Sequence, residues 1–303
     1  MSPNMLIRAV SDGDMQLVTR LLDNGAALSQ TCSAYDVTPL MAAAKAGYVD
    51  ITELLLERGA SADKTSCYGR TALTFAALAG HLWVVGLLVG RGATADLEDQ
   101  EGENALMYAA QAGHLEVVGM LLKLGAAVNK TGASGCTALT LAAKAGHADA
   151  VALLLDQGAV VSMAGINGWP ALTHAAQDGR LEVAALLLER GTEVNLAAED
   201  GSTALMCAAE AGQAEMVTLL LDKGAAVDCV NLNGRTALMA AAQAGQLAMV
   251  AMLLNRGGFV DTSTALNPTE YHDFPARDEL RGAVTDQATA LMPAAQNGHL
   301  PHC

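Results

Sequence analysis

The residues best suited to chemistry are seven histidines, six cysteines and a few neighbouring carboxylates. His81, His114, His147 and His299 each follow a glycine directly, which points to a shared structural role. His174 stands apart, in a different local setting, and is a candidate for touching a ligand. Glu101 with Glu103 and Glu199 with Asp200 form carboxylate pairs. General acid catalysis needs a carboxyl whose pKa burial has raised, whereas both pairs sit in short polar loops where water should keep them ionised. The cysteines (Cys32, Cys67, Cys136, Cys207, Cys229 and Cys303) show no C-x-x-C and no histidine at zinc-ligand spacing. They read as free thiols in a reducing compartment. Phosphate-binding loops, H-E-x-x-H, G-x-S-x-G and a strand-borne G-x-G-x-x-G are missing. No enzyme activity, metal or cofactor is expected.

The elements that must carry these residues repeat. Segments of the form Thr-Ala-Leu-Met/Thr-x-Ala-Ala start at Thr38, Thr71, Asn104, Thr137, Pro170, Thr203 and Thr236, each 33 residues after the last, and a degenerate copy starts at Met5. Eight units therefore span 5–268, starting at 5, 38, 71, 104, 137, 170, 203 and 236. In each unit a first helix with an alanine pair runs to a glycine such as Gly80 or Gly113, where a left-handed residue ends it. A second helix follows. In the fourth unit its apolar positions Leu115, Val117, Val118, Leu121 and Leu122 make one broad face. A second glycine, such as Gly125, then leads into a polar finger closed by another, such as Gly135. Arg8, Ser11, Asp12 and Asp14 make the first unit polar, as a cap should be. The next signature, at Thr289, comes 53 residues after Thr236. That spacing implies an inserted loop at 258–288, either a tolerated insertion or a binding loop, and a truncated final repeat at 289–303.

Composition agrees with close-packed helices. Of 303 residues 52% are hydrophobic but only 3% aromatic, so the apolar content is Ala, Leu, Val and Met. The formal charge of −15 argues against nucleic acid and anionic membranes, which need Lys/Arg clusters, and favours partners with basic surfaces. Thr71–Gly90 and Thr236–Asn255 are uncharged and long enough to span a bilayer, yet each contains an Ala-Gly-His or Ala-Gly-Gln turn. No secretory signal is visible at the N-terminus. The expectation is a monomer without a membrane span, in the cytoplasm or nucleus.

The period and the Thr-x-Leu-x-x-Ala signature resemble those of ankyrin repeats. The resemblance implies an all-α ankyrin-repeat solenoid of stacked helix-turn-helix units with β-hairpin fingers. One departure is systematic: the signature histidine is replaced by Met41, Thr74, Met107, Thr140, Thr173, Met206 and Met239, as in ankyrin-only arrays of protists. In the family that histidine orders the hairpin and first helix through hydrogen bonds. Threonine could keep part of this, and methionine would substitute apolar packing.

The resemblance further implies a non-enzymatic scaffold or adaptor that binds proteins through a concave surface of finger tips and first helices. Carried over position by position, that surface comprises Tyr35, Lys45, Tyr68, Arg70, Phe75, Leu78, Glu101, Glu103, Tyr108, Gln111, Lys144, Trp169, His174, Asp178, Glu199, Asp200 and Arg235. Tyr68, Phe75 and Tyr108 are expected to centre an apolar groove beside the acidic tip 98–103. Alternatively, Phe75 and Tyr108 pack between helices. Asn129 and Asn195 match the finger asparagine that ankyrin repeats offer for hydroxylation, or they stabilise turns. Two other roles fit the sequence: a regulatory or substrate-recognition segment of a kinase or ubiquitin-ligase system whose catalytic part is separate, and a tether to membrane or cytoskeleton.

Overall fold

A computed structural model describes residues 5–31, 35–165 and 168–258. The final repeat expected at 289–303 and the loop expected at 258–288, apart from Gly258, lie outside the described residues. So do His299, Cys32 and Cys303.

Each signature threonine begins a helix because its hydroxyl satisfies a backbone N–H that the helix cannot. Thr71 Oγ1 accepts from Thr74 N at 3.2 Å, Asn104 Oδ1 from Met107 N at 3.0 Å and Thr137 Oγ1 from Thr140 N at 3.2 Å. The residue three places on answers. Thr140 Oγ1 accepts from Thr137 N at 2.8 Å, and in the second repeat Met41 Sδ takes the same place, 3.5 Å from Thr38 N. Thr74 and Thr140 thus keep a hydrogen bond at the signature position, while Met107 and Met206 are buried there.

The described residues fall into two compact units. The first runs to Ala175 and takes in Glu182–Thr192; the second is made of Ala176–Leu181 and the described residues from Glu193 onward. The first unit holds α1 (Met5–Ser11), α2 (Met15–Asp23), α3 (Pro39–Ala46), α4 (Val49–Glu57), α5 (Ala72–Leu78), α6 (Leu82–Gly90), α7 (Ala105–Ala112), α8 (Leu115–Lys123), α9 (Ala138–Ala145) and α10 (Ala148–Asp156). It also holds most of α11 (Ala171–Gln177) and α12 (Leu181–Glu189). In it α1, α3, α5, α7 and α9 pack in succession as one layer, and α2, α4, α6, α8 and α10 as another. The second unit holds α13 (Ala204–Ala211), α14 (Ala214–Asp222), α15 (Ala237–Gln243) and α16 (Leu247–Asn255), with α13 against α15 and α14 against α16. The architecture is an all-α solenoid of helix-turn-helix units.

Alanine pairs set the spacing of the first layer. Ala76, Ala77, Ala109, Ala110, Ala142 and Ala143 are wholly buried, and side chains this small let successive helices approach closely. Val85, Leu88, Val118, Leu121, Val151 and Leu154 fill the face that the second helices turn inward.

The glycine between the two helices is required for two reasons. Gly80 has φ +77°, and a Cβ there would lie 2.7 Å from the His114 ring. That ring crosses over from the next repeat, and its Nε2 sits 3.1 Å from the carbonyl oxygen of Leu78. A carbonyl only accepts, so Nε2 carries the proton. His81 and His147 repeat the arrangement on Lys45 O and Gln111 O, both at 3.1 Å. These histidines lace repeats together. In the second unit Gln213 and Gln246 lie over Gly179 and Gly212 instead.

No β-strand forms among the described residues. The expected hairpin fingers are tight turns, with an isolated antiparallel bridge between Ala197 and Thr203. A turn such as 99–103 closes on two bonds, from Asp99 N to Glu103 O and from Gly102 N to Asp99 O, both at 3.0 Å. Its next bond goes to the neighbouring tip, as from Gln100 N to Tyr68 O at 3.0 Å, so no ladder develops within a finger.

Candidate protein-interaction surface

Backbone bonds between tips bring the same finger position of successive repeats side by side. Cys67 N donates to Tyr35 O at 3.1 Å, and Ala133 N to Glu101 O at 2.9 Å. Tyr35, Tyr68 and Glu101 occupy that position in three consecutive repeats of the first unit. The two tyrosine rings stack with centroids 5.9 Å apart and an interplanar angle of 26°. Both stay half open to solvent, at 53% for Tyr35 and 51% for Tyr68. Phe75 is partly exposed, and Leu78 is exposed at the end of α5.

Tyr108 does not share that surface. It is only 4% exposed, and its hydroxyl donates to Asp99 Oδ2 at 2.7 Å while accepting from Arg70 Nη2 at 2.7 Å. The apolar groove expected from Tyr68, Phe75 and Tyr108 therefore lacks its third member, because a buried phenol keeps its hydroxyl paired. Arg70 Nε reaches Asp99 Oδ2 at 3.3 Å, and the guanidinium carbon lies 4.8 Å from the Tyr108 ring centroid. Asp99 Oδ1 accepts from the N–H groups of Glu101 at 2.9 Å and Glu103 at 3.0 Å.

This corrects the picture of a water-bathed acidic tip. The Asp99 side chain is 2% exposed, and Glu103 is half-buried. Burial raises the Glu103 carboxyl above the usual carboxylate range, with the charges of Asp99 and Glu101 adding to it. Burial likewise raises Tyr108, helped by its bond to Asp99. The Arg70 guanidinium is raised too, since Tyr108 and Asp99 together outweigh its own desolvation. Glu101 remains exposed.

Two further aromatic and acidic positions belong to separate places. Trp169, half-buried, meets His174 in the first unit, with ring centroids 5.5 Å apart. At 5% exposure, with the indole against its ring, His174 offers little to a ligand. Glu199 and Asp200 are exposed in the second unit. There Asp200 accepts from Ser202 N and Oγ, both at 2.9 Å, and Arg235 lies 3.7 Å from Glu210. Lys45, Gln111, Lys144 and Asp178 are exposed at or just after first-helix ends.

Asn129 and Asn195 clamp successive repeats. Asn129 accepts from Val160 N at 2.9 Å and donates to Gly158 O at 3.0 Å, and Asn195 accepts from Ala226 N at 2.8 Å. The free thiols Cys136 and Cys207 are buried, and burial pushes Cys207 up to about 12. Sequence reasoning missed two residues. Asp99 stands in the sequence as one acid of the tip 98–103, and the 77%-exposed Trp83 is not among the surface positions the resemblance implies.

A model of ankyrin repeats in three copies matches residues 6–99, 106–198 and 172–264, so the chain belongs to the ankyrin-repeat family. Repeats of this family are generally protein–protein interaction modules and are typically non-catalytic. No curated protein matches the chain. No helix among the described residues is long and apolar enough to cross a membrane. Both uncharged 20-residue stretches are broken by their turns, one into α5 and α6 and the other into α15 and α16.

Proposed function

We propose that the chain is a non-enzymatic scaffold or adaptor, and that the finger tips of its first unit bind a partner protein with a basic surface. The observation that carries this reading is the stacked, half-exposed pair Tyr35 and Tyr68, followed in the same column by the exposed Glu101. Tyrosines are favoured interface anchors because they bring large contact area at little conformational cost. They gain nothing by standing in water. Asp99 and Arg70 fix the turn from beneath, so the tip is ordered before a partner arrives and binding spends little on ordering it. Glu101 and Glu103 supply a field that attracts Lys and Arg.

The test is affinity capture with the full chain, followed by titration of the recovered protein. Tyr35→Ala with Tyr68→Ala should weaken binding at least tenfold, and Glu101→Lys should slow association. Unchanged affinity in the tyrosine double variant would remove the tips from the interface.

A further inference from the structure

The second-helix layer of the first unit holds a feature that the finger-tip reading leaves unexplained. At the second position of the second helices the repeat places an acid in five of the eight, Asp50, Glu116, Asp149, Glu182 and, in the second unit, Glu215, while α2 and α16 carry Gln16 and Ala248. Near a helix N-terminus such an acid steadies the helix dipole. In α6 the same position is Trp83, which is 77% exposed. The change extends along the face. Gly86 and Gly90 stand where α4 carries Glu53 and Glu57, so α6 has no charged residue at all. A Cβ at either glycine would meet nothing within 4 Å, so no packing within the protein calls for them. The result is a smooth apolar strip headed by an indole, at the cost of a dipole-stabilising carboxylate and without burial in return.

Charge flanks the strip. α4 and α8 pack on either side of α6 and bring Asp50 and Glu116, 33 residues before and after Trp83. Both carboxylates are exposed and engage no basic side chain among the described residues. Glu53 and Glu57, further along α4, are by contrast taken up by Arg91 at 2.6 and 3.9 Å. An indole face between two free carboxylates suits a cation with an apolar stem, because the ring quadrupole and the charges attract it together.

We propose that Trp83 and the bare face of α6 are a second docking surface, separate from the finger tips, for an Arg- or Lys-bearing apolar segment of a partner protein. Trp83 takes the cation over its ring, Asp50 and Glu116 neutralise it, and Gly86 and Gly90 let the partner's backbone lie close to the helix.

The test uses the full chain and fluorescence anisotropy of a labelled ten-residue peptide of alternating Leu and Arg, with a Leu/Glu peptide as comparison. The Leu/Arg peptide should bind saturably and the Leu/Glu peptide should not. Trp83→Glu decides the matter, since it restores the acid typical of the repeat and adds negative charge. General attraction to an acidic protein would then tighten, whereas docking on the indole should weaken at least tenfold. Asp50→Asn with Glu116→Gln should weaken binding as well, while Tyr35→Ala with Tyr68→Ala should leave it unchanged. Circular dichroism should show Trp83→Glu folded and no less heat-stable. Equal or tighter binding by Trp83→Glu, or equal binding of the two peptides, would overturn the proposal. So would a dimer in sedimentation velocity that Trp83→Glu abolishes, because the face would then be covered by a second copy of the chain.

Discussion

Asp99 joins two fingers and a helix through one carboxylate. Oδ1 holds the Glu101 and Glu103 N–H groups, and Oδ2 holds Tyr108 and Arg70. Removing a buried acceptor leaves its donors unpaired, and that penalty exceeds the net worth of the bonds. Asp99→Ala should therefore cost about 3 kcal/mol in chemical denaturation. Asp99→Asn, which keeps one oxygen for the turn, should cost less. Glu103 gives a pH signature. Its folded pKa is raised, so the folded state binds the proton more tightly than the unfolded chain, and ionisation above the folded pKa destabilises the fold. Glu103→Gln removes that penalty. It should raise Tm near pH 7, by an amount that shrinks as pH falls through the Glu103 pKa and vanishes below the ordinary carboxylate value, in parallel melts of both proteins. None of this was legible in the sequence. Asp99 looks like its acidic neighbours until the turn folds it under Arg70, a relation between residues 29 apart.

Elements were easier to read, because their determinants lie within a few residues. The signature threonines, the paired alanines and the turn glycines each mark a position whose physics is local, and the helices begin one residue after the caps. The exception is informative. At α11 the cap is Pro170, which has neither an N–H to donate nor a hydroxyl to accept. Thr173 N falls back on Pro170 O at 3.0 Å, and the buried Thr173 hydroxyl is left with no hydrogen-bond partner among the described residues. In α5 and α9 the matching hydroxyls of Thr74 and Thr140 are paired with the cap threonine. Pro170→Thr would restore the reciprocal cap. It should stabilise the protein by about 1 kcal/mol, measured as a shifted urea midpoint at constant m. Pro170→Val should gain nothing. The finger turns were less legible than the helices, since successive tips also bond to one another and only the stacked fold supplies those bonds.

Over the whole chain, the net charge of −15 arises from 32 acidic and 17 basic residues, and the structure shows why its sign matters at the surface. Several arginines at the ends of second helices are taken up by carboxylates of the preceding repeat: Arg58 with Asp23 at 3.0 Å, Arg190 with Asp156 at 2.6 Å and Arg256 with Asp222 at 2.9 Å. These exposed pairs add little stability, but they spend positive charge away from the finger tips. Glu101, Glu199 and Asp200 stay exposed there with no ion pair to a basic side chain among the described residues. The excess negative charge thus acts in two opposed ways. It repels itself within each unit, which weakens the fold, and it draws in a basic partner, which speeds binding. Salt screens both, since the Debye length falls from about 30 Å at 0.01 M to about 3 Å at 1 M. Raising sodium chloride from low to high should therefore move two readouts in opposite directions. Tm should rise, and the association rate with a basic partner captured through the Tyr35 and Tyr68 tips should fall about tenfold or more. Dissociation should change little, because the stacked tyrosines that hold the complex are uncharged. A Tm that dropped with salt would mean that attractive ion pairs dominate the field. An association rate indifferent to salt would mean that the partner is not basic.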